Sequence, residues 1–345
     1  MTAYTWYLKA SIDRPLAGHL YHHLAVLTPP NTLQQLFYFA KSLCVGPPAV
    51  TTRSIMTLFE AVESERNTAP PLDTAFVKAH GILFRRLSMR RTIEEFLDLL
   101  DGHIGHVTHQ FLEQGHCIAI ANIAAMLEFG ANDNILMKVI NPSKDDNDAI
   151  RKTVTISAVP PDAEYLTNRT LRIIFERIGD RNVLPCIHVT LVFMFHLSRA
   201  DQPAIALLEA NFPWDSLVTL LNELLGDYKE STTRIESDAF PMPTKEDHRL
   251  CPEDFAMRGL PWTESYFPKE WFTDENKKLH ADEIRSPFTH EKVMDQDYVE
   301  VESMVADQRV ERILWLGCRL GDPFGPIKYN KGSVKPRFSI RGSTM

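Results

Sequence analysis

Apolar positions recur at helical spacing along almost the whole chain. Leu33, Leu36, Phe37, Ala40 and Leu43 follow i, i+3, i+4, i+7 and i+10, the stripe that lets one face of a helix bury itself. Leu217, Leu220, Leu221 and Leu224 repeat the pattern, with Pro213 placed for a first turn and Gly226 for a stop. Ala306, Val310, Ile313, Gly317 and Leu320 mark a last helix. Strand-like alternation is confined to Val154–Ile156, between Pro142 and Pro160, where a loop is the better reading. The pattern predicts an all-α fold.

The predicted helices come in pairs separated by short breaks at Pro29-Pro30-Asn31, Gly46-Pro47-Pro48, Gly130 and Asn141-Pro142-Ser143. That rhythm predicts an α-α solenoid of tetratricopeptide-like helix pairs, each pair burying its apolar face on the next, over residues 1–65. No clean period of about 34 residues is visible, so the repeat type does not follow from spacing. A central helical-hairpin domain is expected over 66–227. Residues 228–322 are expected to complete it with a linker, an aromatic wrapping segment and the last helix. The interval 228–250 is polar, carries Pro241 and Pro243, and reads as a linker or surface excursion. Residues 274–303 are highly charged and read as a mobile loop. From Pro323 onward there is no acid, while Lys328, Lys331, Lys335, Arg337 and Arg341 are present, so 323–345 is expected to be a disordered basic tail.

Two aromatic stretches of the C-terminal third change this picture. One runs from Pro252 through Phe255, Trp262, Tyr266 and Phe267 to Trp271-Phe272; the other is Arg309-Val310-Glu311-Arg312-Ile313-Leu314-Trp315-Leu316-Gly317. Exposing such rings leaves a large apolar area in water. A Pro-punctuated, non-periodic run this aromatic must therefore lie pinned onto a folded body. Trp214, Phe255, Trp262, Trp271 and Trp315 are the expected core, with 251–272 and the last helix covering the apolar helix at 184–198.

Composition sets limits. An apolar share of 44% over 345 residues permits a large core. The net charge of −8 argues against coating nucleic acid by bulk electrostatics. The excess is local: residues 236–302 hold 17 acids and 8 bases, a difference of −9 that accounts for the whole imbalance. Cys44, Cys117, Cys186, Cys251 and Cys318 stand far apart with no C-x-x-C pair, which signals neither a zinc site nor a disulfide framework. Reduced thiols, no secretory signal and no apolar run longer than Val183–Leu197 predict a soluble nuclear or cytoplasmic chain without a membrane anchor.

Candidate chemistry is sparse. His103, His106 and His109, with His116 nearby, spread over about 120° of a helix and have no cysteine or acid at ligand spacing, so no metal is assigned. His22, His23 and His188 read the same way, His188 as a hydrogen-bonded core histidine. Asp145, Asp146 and Asp148 form an acidic loop with no α/β frame around them. No phosphate loop, nucleophile elbow or H-E-x-x-H occurs. No catalytic residue, cofactor or small-molecule ligand is expected. The nucleic-acid candidates are Lys78, Arg85, Arg86, Arg90 and Arg91, placed on one helix with no acid between Asp73 and Glu94, and Arg169 and Arg172, diluted by Glu176 and Asp180. The alternative is a solvated helix face, or arginines bonding neighbouring helix ends.

The aromatic stretches resemble the C-terminal part of the DNA/RNA-binding domain of the Est-type telomerase-associated and Smg-type nonsense-mediated mRNA decay factors, in their fungal branch. Leu184-Pro185-Cys186-Ile187-His188-Val189-Thr190-Leu191-Val192-Phe193 resembles that family's central buried helix. Phe212-Pro213-Trp214 with Leu220-Leu221-Asn222 resembles the helix after it. The segment from Gly18 to Ala25, with Phe37 to Leu43, resembles the last helix pairs of its tetratricopeptide-type region. The resemblance spreads over residues 6–320. It implies a non-enzymatic scaffold in nonsense-mediated decay or telomere maintenance, with weakly and salt-sensitively bound RNA or single-stranded DNA and protein partners of those complexes. Some relatives carry a C-terminal nuclease domain, for which about 30 residues beyond the last helix leave no room. The family's phosphopeptide-binding N-terminal helices are expected to be absent, since Tyr4, Trp6 and Tyr7 look like mid-repeat positions. Pro47-Pro48-Ala49-Val50 departs from the family's Pro-Phe-x-x-Ala. The competing reading is a purely protein-binding solenoid with no nucleic-acid affinity, which the acidic segment favours.

Overall fold

The computed structural model describes residues 2–28, 30–46, 50–106, 108–141, 159–200, 204–243, 250–273, 296–321, 325–331 and 335–342. Residues 47–49, the Asp145–Asp148 loop, Val154–Ile156 and most of the charged 274–303 interval lie outside the described residues.

Among the described residues the chain is helical with one small hairpin. The first eight helices are α1 (Ala3–Asp13), α2 (Gly18–Val26), α3 (Thr32–Val45), α4 (Thr51–Glu63), α5 (Pro71–Phe84), α6 (Arg90–His106), α7 (Thr108–Met126) and α8 (Ile135–Ile140). Local chemistry sets their starts. Thr2, Asn31 and Asn134 accept from backbone N–H groups of the first turns of α1, α3 and α8, and Pro71 opens α5 where its missing N–H costs nothing. Each of α1 to α6 packs on the next, and α3 also meets α5 and α7. Close approach explains one glycine: a Cβ on Gly18 would stand 2.1 Å from the Gly46 carbonyl oxygen.

The second half is built around one buried helix. After α9 (Pro161–Phe175) and a 3₁₀ turn at Arg181–Val183 comes α10 (Leu184–Arg199), whose residues from Leu184 to Phe195 are all buried. A helix apolar on all sides must be covered all round, and α7, α9, the strap described below and the last helix do so. Next come α11 (Ala206–Glu209), α12 (Trp214–Asp227) and α13 (Thr232–Glu236). Residues 250–273 form a strap holding only α14 (Pro252–Met257) and a 3₁₀ turn at Pro261–Thr263, before α15 (Gln296–Leu320). Trp214, Phe255, Trp262, Trp271 and Trp315 are all buried. Phe193 of α10 meets Trp262 edge to face at 5.6 Å, and Phe195 meets Trp315 at 5.4 Å. One apolar cluster runs from Leu8 to Phe338.

Three expectations need correction. Residues 323–345 are not simply a disordered tail: β1 (Ile327–Asn330) and β2 (Arg337–Ile340) pair antiparallel, Tyr329 opposite Phe338. Charge masked the cause, which is that Ile327 and Phe338 are fully buried against α15 and α12. Residues 228–243 of the expected linker are pinned rather than an excursion, and 244–249 lie outside the described residues. Ile235 is fully buried, and Phe240 packs against Tyr266, Trp271 and Trp315. Finally, residues 296–303 belong to the last helix and not to a loop.

Candidate functional site

The basic set does not occupy one helix. α5 ends at Phe84, Arg85 caps it, and Arg86 takes a left-handed φ of 55°, so the chain turns before α6 begins at Arg90. Leu87-Ser88-Met89 offers no apolar face to continue the helix, and Leu87 and Met89 are exposed. The turn carries Arg85, Arg86 and Arg90 to three different carboxylates. Arg85 forms a two-pronged bond to Glu63 of α4, at 2.6 and 3.3 Å. Arg86 reaches Glu128 beyond α7 at 3.0 Å. Arg90 meets Asp162 of α9 at 2.9 Å and lies over the Tyr165 ring at 3.7 Å. Lys78 is half-buried on α5, and Arg91 is exposed. Of the second set, Arg172 faces Asp215 at 3.8 Å and Arg169 is exposed. Acids from four other places in the fold thus intersperse the positive charge, and the expected shared face is replaced by ties between elements.

Sequence reasoning missed a concentrated charge cluster because it is internal. Glu253 and Asp254 on α14 face Arg309 and Arg312, one turn apart on α15. Glu253 takes both arms of Arg309 at 2.5 and 2.9 Å, and Asp254 accepts from Arg312 at 2.7 and 2.8 Å. His188 of α10 bridges Glu253 Oε1 at 3.0 Å and the Tyr266 hydroxyl at 2.7 Å. Asp254 also accepts from Trp271 Nε1 and the Cys251 backbone N–H. Burial works to raise the Glu253 carboxyl, but Arg309 and the His188 contact hold it well below the usual carboxylate range. On the far side, Lys41 donates to the Phe255 and Ala256 carbonyl oxygens at 3.2 and 2.7 Å, with its ammonium 4.3 Å from the Tyr21 ring centre. Burial, aided by Arg258, pulls the Lys41 pKa well down. Glu253, Asp254, His188 and Arg312 are completely buried, so the cluster offers no surface to a substrate. It is a clasp fixing the strap to α10 and α15. The signal available in the sequence was an acidic pair inside an aromatic run and two arginines at i, i+3 on an apolar helix.

The histidines scatter. His103 bonds Gln114 at 3.2 Å, while His116 is half-buried and lowered to about 4 by desolvation. The side chains of His106 and His109 lie outside the described residues. Among the described residues no three His, Cys, Asp or Glu side chains are grouped to hold a metal ion. The five cysteines are buried free thiols, and burial raises Cys44 and Cys186 to about 12. Among the described residues, no helix is long and apolar enough to cross a membrane.

An open groove of about 530 Å³ lies between α2, α3, α4 and the turn at 64–69. Phe39, Leu58 and Val62 form its floor, Val26 and Ala61 its apolar rim, and Ser54, Thr57 and Gln35 its polar wall; Arg66 is the one charged side chain lining it. Compared with known proteins, the chain matches no family model and no curated protein.

Proposed function

We propose that the chain is a non-enzymatic helical adaptor that works by binding proteins, in the manner of an Est/Smg-type scaffold of nonsense-mediated mRNA decay or telomere maintenance. The pathway rests on the sequence resemblance alone. One observation carries the choice of protein over nucleic acid: Arg85, Arg86 and Arg90 each meet a carboxylate from another part of the fold. A phosphate would have to displace Glu63, Glu128 and Asp162 in turn, so counterion release, the main source of nucleic-acid affinity, is largely forgone.

The test is fluorescence anisotropy with single-stranded RNA and DNA at low salt, together with affinity capture from the native host. The reading expects no saturable oligonucleotide binding, and enrichment of decay or telomerase components. Oligonucleotide binding with a log–log salt slope of roughly −2 to −3, abolished by Arg86→Gln with Arg90→Gln, would instead favour the nucleic-acid reading. Those substitutions remove partly exposed pairs and should cost less than about 1 kcal/mol each, so loss of binding would not reflect unfolding.

A further inference from the structure

We infer that the groove between α2, α3 and α4 is a docking site for a short extended peptide of a partner protein, one carrying apolar side chains and an acidic residue. This rests on the protein-adaptor reading and goes beyond it by naming the surface and the chemistry recognised. At about 530 Å³ the groove falls within the size range of pockets that bury a compact ligand.

Its polar wall is specific in what it offers. The Ser54 hydroxyl donates to the Val50 carbonyl oxygen at 3.3 Å, and the Thr57 hydroxyl to the Arg53 carbonyl oxygen at 3.4 Å. Gln35 Nε2 donates to the Ala25 carbonyl oxygen at 3.1 Å. With these two hydroxyl protons and one Gln35 N–H committed inside the protein, the wall offers acceptor lone pairs together with the second Gln35 N–H and the unpartnered Thr32 hydroxyl, a mixture that suits the N–H and C=O groups of an extended main chain. Val26, half of whose surface is exposed, and Ala61 supply apolar contacts above the Leu58 floor.

Charge selects the occupant. In a chain of net charge −8, no acidic side chain lines the groove. Arg66 has no ion pair among the described residues, unlike Arg85, Arg86 and Arg90. A carboxylate is its complement, and a basic peptide would meet it with repulsion.

The test pans a random-peptide phage library against the full chain and measures synthetic versions of the enriched peptides by anisotropy. Wild type should enrich peptides that combine apolar residues with Asp or Glu. Ala61→Trp, an exposed helical position on the rim, should fill the groove and weaken those peptides by about tenfold or more, with unchanged helicity and melting temperature. Arg66→Glu should shift enrichment from acidic to basic peptides. No enrichment, or enriched peptides that bind Ala61→Trp as tightly as wild type, would overturn the inference; the second result would leave the adaptor reading standing on another surface. Concentration-dependent self-association lost in Ala61→Trp would also overturn it, by making a second copy the occupant. Oligonucleotide binding would count against the adaptor reading and not against the groove.

Discussion

Asp73 stands in the first turn of α5 with 5% of its surface exposed. Burial raises its carboxyl from the usual 3.8 to about 6, against the pull of His103. Its contact with Gln114 Nε2 is long, at 3.4 Å, and returns little. Between pH 4 and pH 6 the native state holds the proton that the unfolded chain has released, so this residue's effect on stability worsens as pH rises. Asp73→Asn should therefore raise the melting temperature at pH 7, by the equivalent of about 1–3 kcal/mol, and converge on wild type toward pH 4. An unchanged melting temperature at pH 7 would contradict the buried-carboxylate argument. His80 and His116 act with the opposite sign. Burial lowers both to about 4 from the usual 6.5, so the unfolded chain takes up protons first and stability is lost as pH falls through that window. Urea midpoints should fall from pH 6.5 to pH 4, and more steeply in Asp73→Asn, where the compensating carboxyl is gone.

At the scale of elements, the strap is held by two kinds of interaction with different costs of failure. Asp254→Ala removes the buried carboxylate that accepts from Arg312, Trp271 and the Cys251 N–H, which should cost about 3–5 kcal/mol in urea unfolding. Trp262→Ala opens a cavity beside Phe193 and should cost a similar amount. Trp262→Phe should cost less than Trp315→Phe. The Trp262 Nε1 has no partner among the described residues, whereas Trp315 Nε1 donates to the Ser237 carbonyl oxygen at 2.9 Å. Aromatic density without period was legible as wrapping, because rings cannot stay in water wherever the chain goes. The clasp was not legible, since Glu253 and Arg309 stand 56 positions apart and only the fold brings them together. The basic set misled for the converse reason. Spacing along one helix was counted across a place where Arg86 turns the chain, and periodicity carries no warning of a left-handed residue.

At the scale of the whole molecule, four acids of the 236–302 interval are matched to cations of other elements. Glu236 and Asp238 reach Lys331 and Arg319, while Glu253 and Asp254 hold Arg309 and Arg312 inside the core. The basic C-terminal hairpin is one of the answers to that acid, and it also seals apolar surface. Phe338 is fully buried, and a Cβ on Gly317 would stand 3.2 Å from its ring. Asn222 of α12 donates to the Phe338 carbonyl oxygen at 3.0 Å and accepts from its N–H at 2.8 Å, occupying the edge of β2 as a third strand would. Tyr329 adds a 3.0 Å bond to Glu236. Removing residues 322–345 should therefore lower the melting temperature, increase the fluorescence of an apolar-surface dye and leave the helical circular dichroism nearly intact, because no helix is deleted. Phe338→Ala should reproduce most of the loss, at about 3–5 kcal/mol, and Asn222→Ala a smaller part of it. If the truncated chain melted with the full one and bound no more dye, the hairpin would be an ornament on α12 and α15 and not part of the core.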